Sequence, residues 1–154
     1  MQPDSFEASM PPSEELQEIC QTISGLPSPN DKIVTRLRYV ADLLANAGSL
    51  PNAPILVWRE EDRPVRHALI GGGLVVGRQT GEPGLTLPDD KLLSRRHFVV
   101  RTTGVECMLE DLQSRNGTAI NRVEERVQQR SLCDGDLILA GNHIFAFLDQ
   151  GKTV

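Results

Sequence analysis

Two stretches near the start of the chain carry apolar residues at the three- and four-residue spacing of an amphipathic helix. The first helix is predicted over about 13–25, with Ser13 as its N-cap and Gly25 as its stop. The second is predicted over about 29–47, where the sequence SPND is close to a capping box. Its predicted apolar stripe is Ile33, Leu37, Val40, Ala41, Leu44 and Ala47. The two form a predicted helical hairpin, and the polar, proline-rich residues 1–12 before it are predicted to be disordered.

The pattern changes at Pro51, after which short β-rich runs alternate with turn signals such as GGG, TGEPG, RNG and DGD. Strands this close together, with no helix between them, predict an antiparallel β-sandwich or barrel. The chain is therefore predicted to divide into an N-terminal extension, 1–50, and a β-domain, 51–154. The runs are PILVW, RHALI, LVVGR, LTLP, HFVVR, ECMLED, TAIN, DLILA and IFAFL.

The charge balance narrows the function classes. The chain has 154 residues, with 16 Lys+Arg against 21 Asp+Glu and a net charge of −5. Proteins that bind a nucleic-acid backbone usually carry a net positive charge, so no nucleic-acid partner is expected for this acidic chain. The start has no signal-peptide pattern and no run is long enough to span a bilayer, so we expect a cytoplasmic protein without a membrane partner.

Catalytic and metal-binding patterns are missing from the sequence. The histidines lack metal-ligand spacing, no serine lies in a GxSxG elbow, and the GGG at 71–73 precedes a strand rather than a phosphate-binding helix. The three cysteines form no metal-binding pair and are predicted to be reduced thiols. We therefore expect no catalytic residue, no cofactor and no metal. The histidines are His67, His97 and His143, and the cysteines are Cys20, Cys107 and Cys133.

Anion-binding groups, by contrast, gather on separate turns. Arg78 ends a strand, the serine and two arginines of 94–96 precede another, and the turn 114–116 reads Ser-Arg-Asn, with Lys91 nearby. If the sandwich brings these turns to one end, guanidinium, hydroxyl and amide groups converge as a phosphate site requires. Spacing alone does not establish that convergence.

An ordered set of motifs at these positions resembles the forkhead-associated (FHA) domain family. The motifs run from about Pro54 to Asp149: VVGR ending at Arg78, LTLPDDKLLSRRH, LEDLQSRNGTAIN and LCDGDLILAGNHIFAF. The resemblance implies an eleven-stranded antiparallel β-sandwich that binds phosphothreonine peptides, preceded here by the short helical hairpin.

The resemblance also implies a role for each matching residue. Arg78 would bind the phosphate or order the loop beside it, and Ser94 would donate its hydroxyl to a phosphate oxygen. Arg95 and Arg115 would add ligand contacts, and Asn116 would bond the peptide main chain. Peripheral contacts are expected from Lys91 and Arg96. Structural support is expected from His97, Gly117 and Thr118.

Three departures from the family pattern stand out. Position 95 often carries a small polar residue, whereas this chain has arginine. The later hairpin often reads Asn-Gly, whereas here it reads Asn121-Arg122, which predicts a different turn. Residues 1–21 contain no threonine, so an N-terminal phosphothreonine that folds back onto the pocket is not expected.

These observations predict an adaptor that recognises phosphothreonine on a partner protein, either a Ser/Thr kinase or its substrate. An alternative stays open, namely a phosphate-independent interaction module that uses the sandwich or the N-terminal helices. An enzyme is the third reading, and it lacks any catalytic constellation.

Overall fold

One helix and ten strands make up the described part of the chain. The computed structural model describes residues 29–81 and 84–149. The predicted disordered segment 1–12, the predicted helix 13–25 and the cap at Ser28 lie outside these residues. In chain order the elements are α1 Pro29–Ala47, β1 Pro54–Trp58, β2 Arg66–Leu69, β3 Gly73–Gly77, β4 Gly84–Thr86, β5 Phe98–Thr103, β6 Glu106–Asp111, β7 Thr118–Ile120, β8 Gln129–Ser131, β9 Leu137–Ala140 and β10 His143–Asp149.

The strands form two five-stranded sheets, ordered β2-β1-β10-β9-β7 and β4-β3-β5-β6-β8. One buried cluster draws on both sheets, which confirms the predicted sandwich. Two details differ from the prediction: the described residues contain ten strands instead of eleven, and β3 pairs with β4 in parallel. The parallel pair arises because the chain loops back after Gly77, so that Gly84 lies beside Val75.

The β8 strand was absent from the apolar runs of the sequence. Its three residues, Gln129–Ser131, are all exposed, and they pair only with β6 at the edge of the second sheet. A polar strand at a sheet edge has no alternating apolar face, so the sequence pattern carries no signal for it.

The strands β1, β9 and β10 of the first sheet are buried on both faces, which explains their continuous apolar runs. Alternate residues of these strands belong to different clusters, as the two-residue period of a strand requires. One set faces the second sheet and the other lies under α1. The inner set is Leu56, Trp58, Ile138, Ala140, Phe145 and Phe147, and the outer set is Ile55, Val57, Leu137, Leu139, Ile144, Ala146 and Leu148.

The packing face of α1 is rotated from the predicted stripe. Tyr39, Val40 and Leu43 are buried on the sheet, and the Tyr39 hydroxyl donates to the Ile144 carbonyl over 3.3 Å. Leu37 and Leu44, which belong to the predicted stripe, are exposed instead. The helix carries two overlapping apolar faces, and the face that contains Tyr39 is the one that packs on the sheet. Within the described residues, no helix has the length and apolar character needed to cross a membrane.

Aromatic packing in the inner cluster fixes the start of β5. Phe98 contacts Phe145 edge to face with ring centroids 5.8 Å apart, and Phe145 contacts Trp58 in the same way at 5.5 Å. Because Phe98 directly follows His97, this packing also holds the end of the loop that precedes β5.

We predict that replacing Leu43 with alanine lowers the free energy of unfolding by about 2–4 kcal/mol, since it removes a side chain buried between α1 and the sheet. Leu43 is 1% exposed and its neighbour Leu44 is 38% exposed, so Leu44→Ala is a matched control that should cost far less. Urea denaturation of both variants measures the difference. Equal losses would contradict the docking of α1 through Leu43.

Candidate functional site

A cleft of about 330 Å³ lies where three segments of the sandwich meet: the end of β3, the loop between β4 and β5, and the loop between β6 and β7. Its lining contains every residue that the sequence predicts as a ligand contact, both central and peripheral. We call it the loop cleft. Its lining residues are Arg78, Lys91, Leu92, Leu93, Ser94, Arg95, Arg96, Arg115 and Asn116.

The loop before β5 docks onto the end of β3 through backbone hydrogen bonds. The amides of Arg78 and Gln79 donate to the carbonyls of Ser94 and Arg95 over 2.9 and 3.0 Å. Gly77 permits this contact, because a Cβ there would lie 2.1 Å from the Arg95 carbonyl oxygen. The absence of a side chain at residue 77 thus brings two arginines and a serine to the same rim of the cleft.

Arg78 is half-buried and anchors the loop while keeping donors free. Its Nε donates to the Leu93 carbonyl over 3.1 Å. A guanidinium has five N–H donors, so the terminal groups of Arg78 stay available to the cleft that it lines. One arginine can therefore order the loop and contact an anion at the same time.

Ser94 presents an unused hydroxyl proton. Its Oγ accepts the Arg115 amide over 2.8 Å, which ties the two loops together. An amide nitrogen can only donate, so the hydroxyl hydrogen of Ser94 is left for another acceptor, and none is bonded to it among residues 29–81 and 84–149. The arrangement orients a donor toward the cleft.

Asn116 is held in a similar way. Its Nδ2 donates to the Leu92 carbonyl over 2.9 Å, which fixes the orientation of the amide group. The second N–H of that nitrogen and the Oδ1 atom have no hydrogen bond to another described residue. Asn116 can thus both donate to and accept from an extended peptide backbone.

His97 joins the two loops from below the cleft. The ring is completely buried; its Nδ1 accepts the Ser94 amide over 3.0 Å, and its Nε2 lies 2.8 Å from the Gly117 carbonyl. Because Nδ1 must accept, Nε2 carries the proton and donates to the carbonyl. Gly117 has a left-handed backbone, with φ of +85°, and the Arg126 side chain packs against it.

Asp111, which the sequence reasoning did not select, organises the loop after β6. Its carboxylate accepts the hydroxyls of Ser114 and Thr118 over 2.6 and 2.7 Å and the Ser114 amide over 3.0 Å. Burial alone would raise the pKa of Asp111, but these hydrogen bonds lower it below its ordinary value. The signal in the sequence is an aspartate three residues before a serine, which is typical of a side-chain-capped turn.

Asp90, also missed, holds the loop before β5 from the other side. Its buried carboxylate accepts the Leu92 amide over 3.1 Å, and the backbone and side-chain amides of Asn142 over 2.8 and 2.9 Å. No local pattern in the sequence predicts this contact, because Asn142 lies 52 residues further along the chain.

The electrostatics of the loop cleft favour an anion. Five of its nine lining residues are cationic and none is acidic. Within the described residues, no carboxylate lies within 4 Å of any of the five, whereas arginines elsewhere on the surface pair with glutamates. The positive charge of the cleft is therefore not neutralised by the described part of the chain. The cations are Arg78, Lys91, Arg95, Arg96 and Arg115.

We predict that Gly77→Ala disrupts the docking of the loop on β3, because the clash is with backbone that cannot rotate away. Amide hydrogen exchange should accelerate at Arg78 and Gln79, and the free energy of unfolding should fall by about 1–3 kcal/mol. Gly72→Ala is the control, since a Cβ there meets nothing within 4 Å. Unchanged exchange in Gly77→Ala would contradict the close approach.

Comparisons with known proteins give one consistent result. Residues 74–141 match the family model described as FHA domain. The chain is 39% identical over 76 residues to the FHA domain-containing protein FhaA of Mycobacterium tuberculosis (strain ATCC 25618 / H37Rv), which is 49% of this chain. The chain spans only 14% of the length of FhaA, so the similarity concerns one domain of a larger protein.

Two solved structures extend the comparison. The FHA domain of FhaA, in complex with the intracellular domain of Rv3910, matches with a TM-score of 0.52 and 32% identity, over 62% of this chain and 99% of that domain. The other structure comes from work on phosphothreonine-dependent FHA domain interactions. It matches with a TM-score of 0.52 and 30% identity, over 62% of this chain and 95% of its own.

Proposed function

This chain belongs to the FHA-domain family, and we propose on that premise that its loop cleft binds phosphothreonine on a partner protein. The observation that carries the proposal is the convergence of free donors from Arg78, Ser94, Arg115 and Asn116 on one cationic cleft. A phosphorylated side chain brings a charge of about −1.5 to −2 and three acceptor oxygens, which such donors match.

The phosphate contacts divide between the two loops. The free hydroxyl proton of Ser94 and the terminal guanidinium groups of Arg78 would bond the phosphate oxygens. Arg95 and Arg115 would add charge from the two loops, with Lys91 and Arg96 as further lining residues of the same cleft. Charge-assisted bonds of this kind are roughly twice as strong as neutral ones.

The peptide main chain would be read by Asn116. Its amide has one donor and one acceptor uncommitted, the same pair that an extended backbone segment needs. His97, Gly117 and Thr118 support this loop without touching the ligand, since His97 and Thr118 are buried beneath it.

The function is recognition without chemical turnover. A general base needs a free nitrogen or oxygen within hydrogen-bond reach of the group that it deprotonates. The histidine of this site has both ring nitrogens committed to backbone groups, and neither nitrogen contacts the Ser94 hydroxyl. We therefore propose an adaptor and not an enzyme.

The proposed ligand, phosphothreonine, indicates which class of enzyme must act before this protein binds. Phosphothreonine is the product of a Ser/Thr kinase, so such an enzyme or its substrate is the proposed partner. The similar FHA domain of FhaA was solved with a protein partner, the intracellular domain of Rv3910, which supports a protein ligand here. The cytoplasmic location stays a prediction.

We predict that Arg78→Ala weakens binding of an alanine-flanked phosphothreonine peptide at least tenfold, because a hydrogen bond to a charged group contributes about 1.5–3 kcal/mol. Arg78→Lys should not restore affinity, since an ammonium is a single point charge and lacks the spaced, planar donors with which Nε holds the Leu93 carbonyl while the terminal groups reach the phosphate. Calorimetric titration measures both. The control is Arg130→Ala, which removes the same charge from the exposed strand β8, outside the cleft lining. A similar loss in both variants would leave only a long-range charge effect.

We also predict an order of affinity among three matched peptides: phosphothreonine above phosphoserine, and both far above unphosphorylated threonine. Leu92 lines the cleft and is 43% exposed, so it offers apolar surface to the γ-methyl of threonine. Burial of one such group contributes about 0.8 kcal/mol, or roughly fourfold in affinity. Leu92→Ala keeps the backbone carbonyl and should abolish this preference. Equal affinity for phosphorylated and unphosphorylated threonine would sink the proposed function and favour the phosphate-independent module.

A further inference from the structure

A buried histidine outside the loop cleft lies between two carboxylates. His143, the first residue of β10, has its Nδ1 2.6 Å from Asp90 Oδ2 and its Nε2 2.5 Å from Glu60 Oε2. Asp90 belongs to the loop before β5 and Glu60 follows β1, so the ring connects two distant parts of the chain. We call this group the Asp90–His143–Glu60 clasp.

The hydrogen bonds assign the protons of the clasp. Both oxygens of Asp90 already accept amide N–H groups, one from Leu92 and two from Asn142, so this carboxylate acts as an acceptor toward His143. The His143 Nδ1 must then donate, and the contact of its Nε2 with Glu60 needs a second proton. The ring is therefore an imidazolium that faces one carboxylate on each side.

The clasp bears directly on the conformation of the loop cleft. Asp90 holds the Leu92 amide, and the carbonyls of Leu92 and Leu93 hold Asn116 and Arg78 respectively. The turn that carries His143 is pressed against the same carboxylate, because a Cβ on Gly141 would lie 2.7 Å from Asp90 Oδ2. The segment 92–94 is thus positioned from His143 through Asp90.

We propose that protonated His143 is a positioning residue, which keeps segment 92–94 in the conformation that receives the ligand, and that its deprotonation weakens phosphopeptide binding. This inference rests on the proposed phosphothreonine function for its affinity readout. It adds a regulatory input, the protonation of a residue that does not line the loop cleft.

The direction of the pH dependence follows from the charges. Burial alone would lower the pKa of His143, but the hydrogen bonds and charges of Asp90 and Glu60 raise it above its ordinary value near 6.5. The clasp is intact below that ordinary value and is lost as the pH rises through the raised pKa. Besides the two carboxylates, the groups around the ring are Arg66, 3.8 Å from Glu60 Oε1, and the uncharged ring of Phe145, stacked at 5.5 Å.

The test is a series of calorimetric titrations of the full chain with an alanine-flanked phosphothreonine peptide between pH 7 and 9.5. In this range the phosphate is mainly a dianion, since its second pKa is about 6. Cys133→Ser serves as the background, because the thiol of Cys133 is exposed and open to oxidation during the titrations. The His143 ring is titrated in parallel by NMR.

We expect the affinity for the phosphothreonine peptide to fall roughly three- to tenfold as the pH rises through the midpoint of the His143 titration. In Glu60→Gln, which leaves the Asp90 contact in place, the midpoint of both curves should move to lower pH. In His143→Gln, the affinity at pH 7 should be lower than that of the wild type, and it should not change as the pH rises further. If His143 had a merely structural role, Glu60→Gln would not shift the midpoint of the affinity curve. An unmoved affinity midpoint in this variant would therefore overturn the proposal. A wild-type affinity that stays flat while the His143 ring titrates would overturn it as well.

A measurement without peptide distinguishes a failure of the positioning role of His143 from a failure of the proposed phosphothreonine function. The backbone amide shifts of Leu92 and Ser94 should titrate with the His143 midpoint in the absence of peptide. If they do so while no phosphopeptide binds at any pH, the clasp stands and the proposed function fails. If the peptide binds but these amides ignore the ring, the positioning role is wrong and the function stands.

Discussion

The whole site depends on one buried ring that makes two backbone hydrogen bonds. His97 accepts from the Ser94 amide and donates to the Gly117 carbonyl, so the two loops of the cleft have a fixed separation. The amide of Arg115 adds a third link through the Ser94 hydroxyl oxygen. These links use the Ser94 amide, the Gly117 carbonyl and one lone pair of the Ser94 hydroxyl oxygen, and they leave the hydroxyl proton of Ser94 uncommitted. The donors left over line the cleft, and the proposed recognition depends on what this internal bonding leaves unsatisfied.

The sandwich and the second predicted helix could be derived from the sequence because their signals are local. Alternating or continuous apolar runs identify nine of the ten strands, and helical spacing identifies α1. The rotation of α1 could not be derived, since Leu37 and Tyr39 lie on overlapping apolar arcs. The continuous apolar runs of β1, β9 and β10 are typical of strands covered on both faces, because a strand exposed on one side would alternate. Three-dimensional packing was needed to show that α1 covers their outer face.

The candidate site shows the same division. Its basic and hydroxyl residues are visible in the sequence because they occupy turns where charge is not needed for folding. The acidic residues that shape those turns were missed. Asp111 is bonded locally, to Ser114 and Thr118, but the contact of Asp90 with His143 spans 53 residues. No periodicity or spacing rule joins residues so far apart, so only the folded chain reveals such partners.

The buried acidic residues and the basic residues of the loop cleft have different roles in this structure. The chain has an excess of acidic residues, yet the buried carboxylates among the described residues, at Asp90, Asp111 and Asp136, are engaged with amides, hydroxyls and a histidine. A buried carboxylate with several hydrogen bonds stabilises one loop conformation strongly, because leaving it unpaired costs several kcal/mol, of the order of ~3–5. Basic side chains held at the rim by such loops need no internal partner, and their charge stays available. A chain with a net charge of −5 can thus hold a cleft of concentrated positive charge, because within the described residues no carboxylate lies within 4 Å of the five cations of that cleft.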